Sequence, residues 1–137
     1  MLPLQFKGRW QLASLVLLIL VLVATLMPAI WFWDDKSKAL SWIRNIDKWM
    51  HGVTFVALSL WFCGMYRRDS YWRIGVGLLA FGLLIEVCQR MVSYRTAEWF
   101  DVAADAAGIV VGLMIGVAGI GGWCLRVEKY FGTRQSD

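Results

Sequence analysis

Between Arg9 and Asp34 the chain carries no ionisable side chain, and the centre of that stretch reads SLVLLILVLVATLM from Ser14 to Met27. About 20 apolar residues in a helix cross the ~30 Å hydrocarbon core of a bilayer. Such a run needs either lipid or a large soluble core around it. The chain has 137 residues, enough for one domain, and it is 59% hydrophobic with 18% charged residues. An average soluble domain is about 45–50% apolar and about 25% charged. A small soluble fold could not hide this much apolar surface. The composition also excludes a disordered chain and a disulfide-stapled secreted module. Lipid is the expected solvent.

Four stretches have the length and apolarity of spans: residues 10–33, 47–66, 72–91 and 99–124. The sequence therefore predicts an all-α fold, a four-transmembrane-helix bundle occupying residues 1–137 as a single membrane domain. A secretory signal is the alternative for the first stretch, because Lys7 and Arg9 precede it. Its apolar run exceeds the 7–15 residues of a signal core and ends in Trp31, Phe32 and Trp33, which favours a retained helix kinked near its end by Pro28. Trp10, Trp31, Trp33, Trp72, Trp99 and Trp123 fall at the span ends, as in an interfacial aromatic belt. Trp49 and Trp61 fall inside the second span and read as lipid-facing or packing bulk.

Lysine and arginine set the orientation. With four spans both termini share a side. That side carries Lys7, Arg9, Arg67, Arg68, Arg73, Arg126, Lys129 and Arg134, against Lys36, Lys38, Arg44, Lys48, Arg90 and Arg95 on the other. The positive-inside rule counts these residues and places both termini in the cytoplasm. The sequence pI near 9.2 then reads as attraction to anionic lipid, not to nucleic acid. Cys63, Cys88 and Cys124 lack C-x-x-C spacing and read as reduced packing residues.

Ionisable groups within spans cost about 2.5–3.5 kcal/mol each at the bilayer centre on insertion scales. Their positions therefore need a reason. The second stretch opens with Asp47, Lys48 and His51, and Asp47 and His51 share a helix face. The third closes with Glu86, Gln89 and Arg90. The fourth opens with Glu98, Asp101 and Asp105, with Arg95 in the turn before it. At a rise of 1.5 Å per residue, Glu86 and Asp105 lie about 9 Å inside the same surface, His51 about 6 Å and Asp101 about 3 Å. Three helices thus place polar groups at one depth. The expectation is a polar pocket between helices 2, 3 and 4, open to the extracytoplasmic side. Ala104, Gly108, Gly112 and Gly116 form a four-residue stripe on the fourth helix that allows close packing, within the chain or in a homodimer.

The ordered motifs resemble the VanZ-like family of small bacterial membrane proteins. They are D-K-W-M-H at 47–51, E-V-C-Q at 86–89 and R-T-A-E-W-F-D-V-A-A-D-A-A-G-I-V-V-G at 95–112. The family pattern runs D-K-x-x-H, E-x-x-Q, Arg, then D-x-x-x-N-x-x-G-x-x-x-G. The resemblance covers roughly residues 45–116, and the first helix fits by position only. One departure is Asp105, where the family usually has Asn. An acid there is open to protonation, to pairing with Arg95 or Lys48, or to a changed ligand preference. The resemblance implies a multi-span protein with a polar motif near one membrane face, and links the family to low-level resistance to the glycopeptide teicoplanin.

Three roles follow. The first is an envelope protein whose outer pocket, lined by Asp47, Lys48, His51, Glu86, Gln89, Arg95, Asp101 and Asp105, binds a membrane lipid head group, a cell-wall precursor or a lipophilic glycopeptide. The second is a small membrane hydrolase or transferase with His51, Glu86 and Asp101 as candidate catalytic groups. His51 and Glu86 would exchange protons, while Arg95 or Lys48 holds an anionic head group. The third is an assembly subunit joined through the glycine stripe. A structural ion-pair network is the competing reading for the acids. No zinc-protease spacing, nucleotide-binding loop or G-x-S-x-G appears, so no metal or cofactor is expected.

Overall fold

The computed structural model describes residues 1–27, 36–91 and 99–133, with side chains described for 1–27, 49–91 and 99–131. Among them the chain is all helical. Helix α1 runs Lys7–Leu26, α2 Lys36–Met65, α3 Tyr71–Arg90, α4 Trp99–Ile115 and α5 Trp123–Thr133. A 3-10 turn at Arg68–Ser70 leads into α3, and a π-helical turn at Gly116–Ile120 follows α4.

Among the described residues three segments are long and apolar enough to cross a membrane: Lys7–Leu26, Arg68–Arg90 and Trp99–Ile120. The second candidate is different from expectation. Its helix begins eleven residues before Asp47, and its apolar portion is the shorter Trp49–Met65. The first span is also shorter than expected. Helix α1 stops at Leu26 and Met27 is extended, because the ring of Pro28 disfavours α geometry in the residue before it. The expected kink at Pro28 and the belt positions Trp31 and Trp33 lie outside the described residues. The third matches closely. The fourth ends before Cys124, because Gly119 and Gly122 take φ of 148° and 75°, left-handed geometry that glycine adopts without strain. Trp123 and Cys124, expected to close the fourth span, instead start α5.

The helices run up and down between two ends. At the proximal end, where α1 and α3 begin, the backbone N–H of Leu2 donates to Met65 O at 2.8 Å and that of Gly122 donates to Cys63 O at 2.9 Å. Trp10 of α1, Trp61 of α2 and Trp123 of α5 pack as a triad, with ring centroids 5.5–5.8 Å apart. Each indole N–H is used: Trp10 donates to Glu128, Trp61 to Ser14 Oγ and Trp123 to Leu60 O. Trp61 is therefore packing bulk, whereas Trp49, Trp72 and Trp99 stand exposed at helix surfaces. Cys63, Cys88 and Cys124 are free thiols.

Around a core of Phe55, Leu58, Ile74, Leu78, Ile85 and Ile109, the surface inverts the usual soluble pattern. Leu12, Leu15, Ile19, Val53, Val76, Leu84, Val110 and Met114 face outward, while His51, Glu86, Gln89, Asp101 and Asp105 are buried. Outward apolar faces on every long helix suit lipid as the surrounding solvent. The chain is a membrane protein by this distribution.

Helices α2 and α4 share the most extensive interface. A Cβ at Gly108 would lie 3.1–3.2 Å from the backbone C and Cα of Gly52, and one at Gly112 would lie 2.8 Å from Val56 O. Backbones this close leave no room for a side chain. Gly77, on α3, has nothing within 4 Å of its would-be Cβ. Gly108→Ala is therefore expected to lower the thermal midpoint in detergent by several degrees, while Gly77→Ala leaves it within a degree or two or raises it.

Helix α1 has no acidic residue in its first turn and no side-chain cap of its own. Glu128 of α5 supplies one, accepting from the backbone N–H of Gln5 (2.7 Å) and Phe6 (3.0 Å) and from Trp10 Nε1 (2.8 Å). A carboxylate at a helix N-terminus also meets the favourable end of the helix dipole. Burial alone would raise the Glu128 carboxyl, but these three hydrogen bonds outweigh it and hold the group below its ordinary value. Its stabilising contribution is thus present above the unfolded value of about 4.3 and is lost as pH falls through the lower folded value. An acid titration of tryptophan emission should show a transition in that window, and Glu128→Gln should remove it.

Candidate functional site

Helix α2 carries His51 next to Gly52, and α4 carries Asp105 three residues before Gly108. The Gly52–Gly108 contact brings the two backbones together one step from both side chains. His51 Nδ1 lies 3.0 Å from Asp105 Oδ1, and the two side chains are 3% and 0% exposed. With Asp105 as the accepting carboxylate, the Nδ1–H of His51 donates. The second carboxylate oxygen of Asp105 rests against α3 at Gly82, where a Cβ would stand 2.7 Å from Oδ2 and 3.3 Å from Phe55 Cζ. Gly82 is bare because the acid fills its space.

Glu86 follows Gly82 by one turn of α3 and is 4% exposed. It lies within electrostatic reach of Asp101, His51, Asp105 and Arg90. Among the described residues neither of its carboxylate oxygens has a hydrogen-bond partner. Asp101 stands one turn before Asp105 and is buried with it. His51, Glu86, Asp101 and Asp105 therefore form one buried polar cluster at the distal end, where α3 ends and α4 begins.

Gln89 does something else. Its Nε2 donates to Thr25 O at 3.1 Å, satisfying a carbonyl in the last turn of α1. A helix end leaves four such carbonyls without intrahelical partners, so Gln89 ties α3 to α1. Arg90 leaves the cluster and lies over the Trp99 ring, 5.6 Å from its centroid. The side chains of Asp47 and Lys48, and residues Arg95 and Glu98, lie outside the described residues. Among those described, no three His, Cys, Asp or Glu side chains are placed to hold a metal ion.

The glycine stripe faces inward. Gly108 abuts Gly52, Gly112 abuts Val56 and Ser59, Gly116 abuts Cys63, and Ala104 O approaches Gly52. Helix α2 thus covers the stripe within the chain, because Gly52, Val56, Ser59 and Cys63 recur at the matching three- and four-residue spacing. The close packing expected of the stripe is met within the chain, by α2.

Sequence reasoning missed Gly82, Gly52 and Ser59. Gly52 next to the lone histidine, and Gly82 one turn before the intramembrane acid, were the available signals. Both are small residues beside costly polar ones. Gly82→Ala is expected to displace the Asp105 carboxylate. The downfield Nδ1–H proton resonance of His51 should then be lost, and Asp105→Leu, which removes the acceptor altogether, should cost about 1–3 kcal/mol in unfolding free energy.

The chain was compared with known proteins on three fronts. No curated protein and no solved structure matches it. The family model described as VanZ/LLP1 matches residues 5–120, which span α1 through the π turn and contain the whole polar cluster. The chain belongs to the VanZ/LLP1 family.

Proposed function

We propose that the protein spans a bacterial inner membrane four times, with both termini cytoplasmic, and binds a polar head group at the extracytoplasmic side through the cluster of His51, Glu86, Asp101 and Asp105. The excess of Lys and Arg on the proximal side, eight against six, supports this orientation. With Trp49–Met65 as its apolar part, α2 crosses with the polar cluster at its distal end.

The observation that carries the reading is Glu86. A buried carboxylate without hydrogen bonds is costly. Donors from a ligand would remove that cost. Three acids around one imidazole favour a head group rich in hydroxyl or ammonium donors, such as that of an envelope lipid, a lipid-linked wall precursor or a lipophilic glycopeptide. Capture of either of the last two would alter susceptibility to teicoplanin, the resistance linked to this family. Asp47, Lys48 and Arg95 fall at the sequence positions flanking the cluster and complete the proposed binding set.

A second reading rests on the 3.0 Å His51–Asp105 contact. An imidazole oriented by a carboxylate is the arrangement of a general base, and protonated Glu86 would serve as the acid in hydrolysis of, or transfer from, an envelope lipid.

Lipid-resolved mass spectrometry of the purified protein separates these. The wild type is expected to retain a polar envelope lipid that the Glu86→Gln, Asp101→Asn double variant loses. Equal retention by both would contradict head-group binding at the cluster. Under the enzymatic reading, His51→Gln and Glu86→Gln singly keep the lipid bound but stop its conversion.

A further inference from the structure

A groove of about 350 Å³ opens towards the proximal end, between α1, α2 and α3. Leu18 of α1, Phe62 and Tyr66 of α2, and Ile74, Leu78 and Phe81 of α3 form its apolar walls. From Ile74 to Phe81 the α3 wall extends about 10 Å along the helix. Gly77 forms part of the lining, and the space beyond its Cα is open. The polar residues of the groove, Ser70 and Arg73, sit together at its mouth.

The charge at that mouth is one-sided. Arg67 and Arg68 precede Ser70 on the turn that leads into α3. Arg67 pairs with Asp69 at 3.4 Å, both exposed. Among the described residues no carboxylate pairs with Arg68 or Arg73. Arg73 lies over the Trp72 ring, 5.3 Å from its centroid, and Trp72 is exposed, as an aromatic at the lipid–water boundary would be. Cations in the first turn of a helix oppose its dipole, so this end of α3 favours an outside anion. An apolar slot below a cationic rim at one membrane boundary matches an acyl chain below a phosphate.

We propose that this groove holds one chain of an anionic phospholipid from the surrounding leaflet, with the lipid phosphate on Arg73 and Ser70. The site is separate from the distal cluster and serves a different ligand. It selects by charge at the rim and by depth at Gly77. Arginine offers the phosphate a bidentate fork, and the bare Gly77 leaves the chain its path.

The test is native mass spectrometry of the full chain in nanodiscs of equimolar phosphatidylglycerol and phosphatidylcholine with matched acyl chains. The wild type is expected to retain one phosphatidylglycerol at least fivefold over phosphatidylcholine, and millimolar inorganic phosphate should not displace it. Arg73→Gln should bring the two lipids to parity. Gly77→Leu, whose Cβ has nothing within 4 Å and whose longer side chain occupies the groove, should lose the retained lipid of both kinds while keeping wild-type helicity. Parity in the wild type, an unchanged preference in Arg73→Gln, unchanged retention in Gly77→Leu, or displacement by inorganic phosphate would each overturn the proposal. Any of these results leaves the head-group reading of the distal cluster standing, because that reading is tested at Glu86 and Asp101.

Discussion

The contact of Gly52 on Gly108 governs this fold. Two helix backbones meet there without side chains between them. In lipid no hydrophobic force draws helices together, so close van der Waals approach and hydrogen bonds must do it. This contact supplies the first and positions the second. One residue before Gly52 stands His51, and three before Gly108 stands Asp105. The hydrogen bond between them exists because the glycines allow the distance, and it satisfies one atom on each of two groups that the bilayer would otherwise penalise. Helix α3 closes the arrangement from the third side, giving up a side chain at Gly82 to seat the acid.

The two ends of the bundle solve different problems. At the proximal end the chain ends are tied down by neutral packing and one carboxylate. Three indoles fill the space between α1, α2 and α5, and Glu128 caps α1 from a distant part of the chain. At the distal end most of the buried polar groups are ionisable, and among the described residues Glu86 has no hydrogen-bond partner. A fold that invests stability at one end can carry a costly polar cluster at the other, which is where functional sites in membrane proteins concentrate.

Much of this was legible in the sequence. Apolar run lengths located α3 to within one residue. Counting depth along the helices picked out His51, Glu86, Asp101 and Asp105 before any contact was known. What hydropathy cannot show is backbone geometry. Glycines at 119, 121 and 122 read as small apolar residues inside a span, yet the positive φ at Gly119 and Gly122 ends it and releases α5. The start of α2 lies in polar sequence that no apolar pattern marks. Partner choice was also hidden. Asp105 had Arg95 and Lys48 as candidates by sequence, and it pairs with His51 because the α2–α4 approach is set by glycines in two different segments. Gln89 sits at the right depth for the cluster but turns to the end of α1, a matter of which face meets which helix.

The central claim is that His51 and Asp105 act as one buried unit held by the glycine contact. A double-mutant cycle with His51→Gln and Asp105→Asn, read by reversible unfolding of the full chain in detergent, measures this directly. Residues in direct hydrogen-bonded contact couple by about 0.5–3 kcal/mol, while independent ones add within about 0.3–0.5 kcal/mol. A coupling of about 1 kcal/mol or more is predicted. Additivity of the two single changes would show that the residues are independent and would contradict the account.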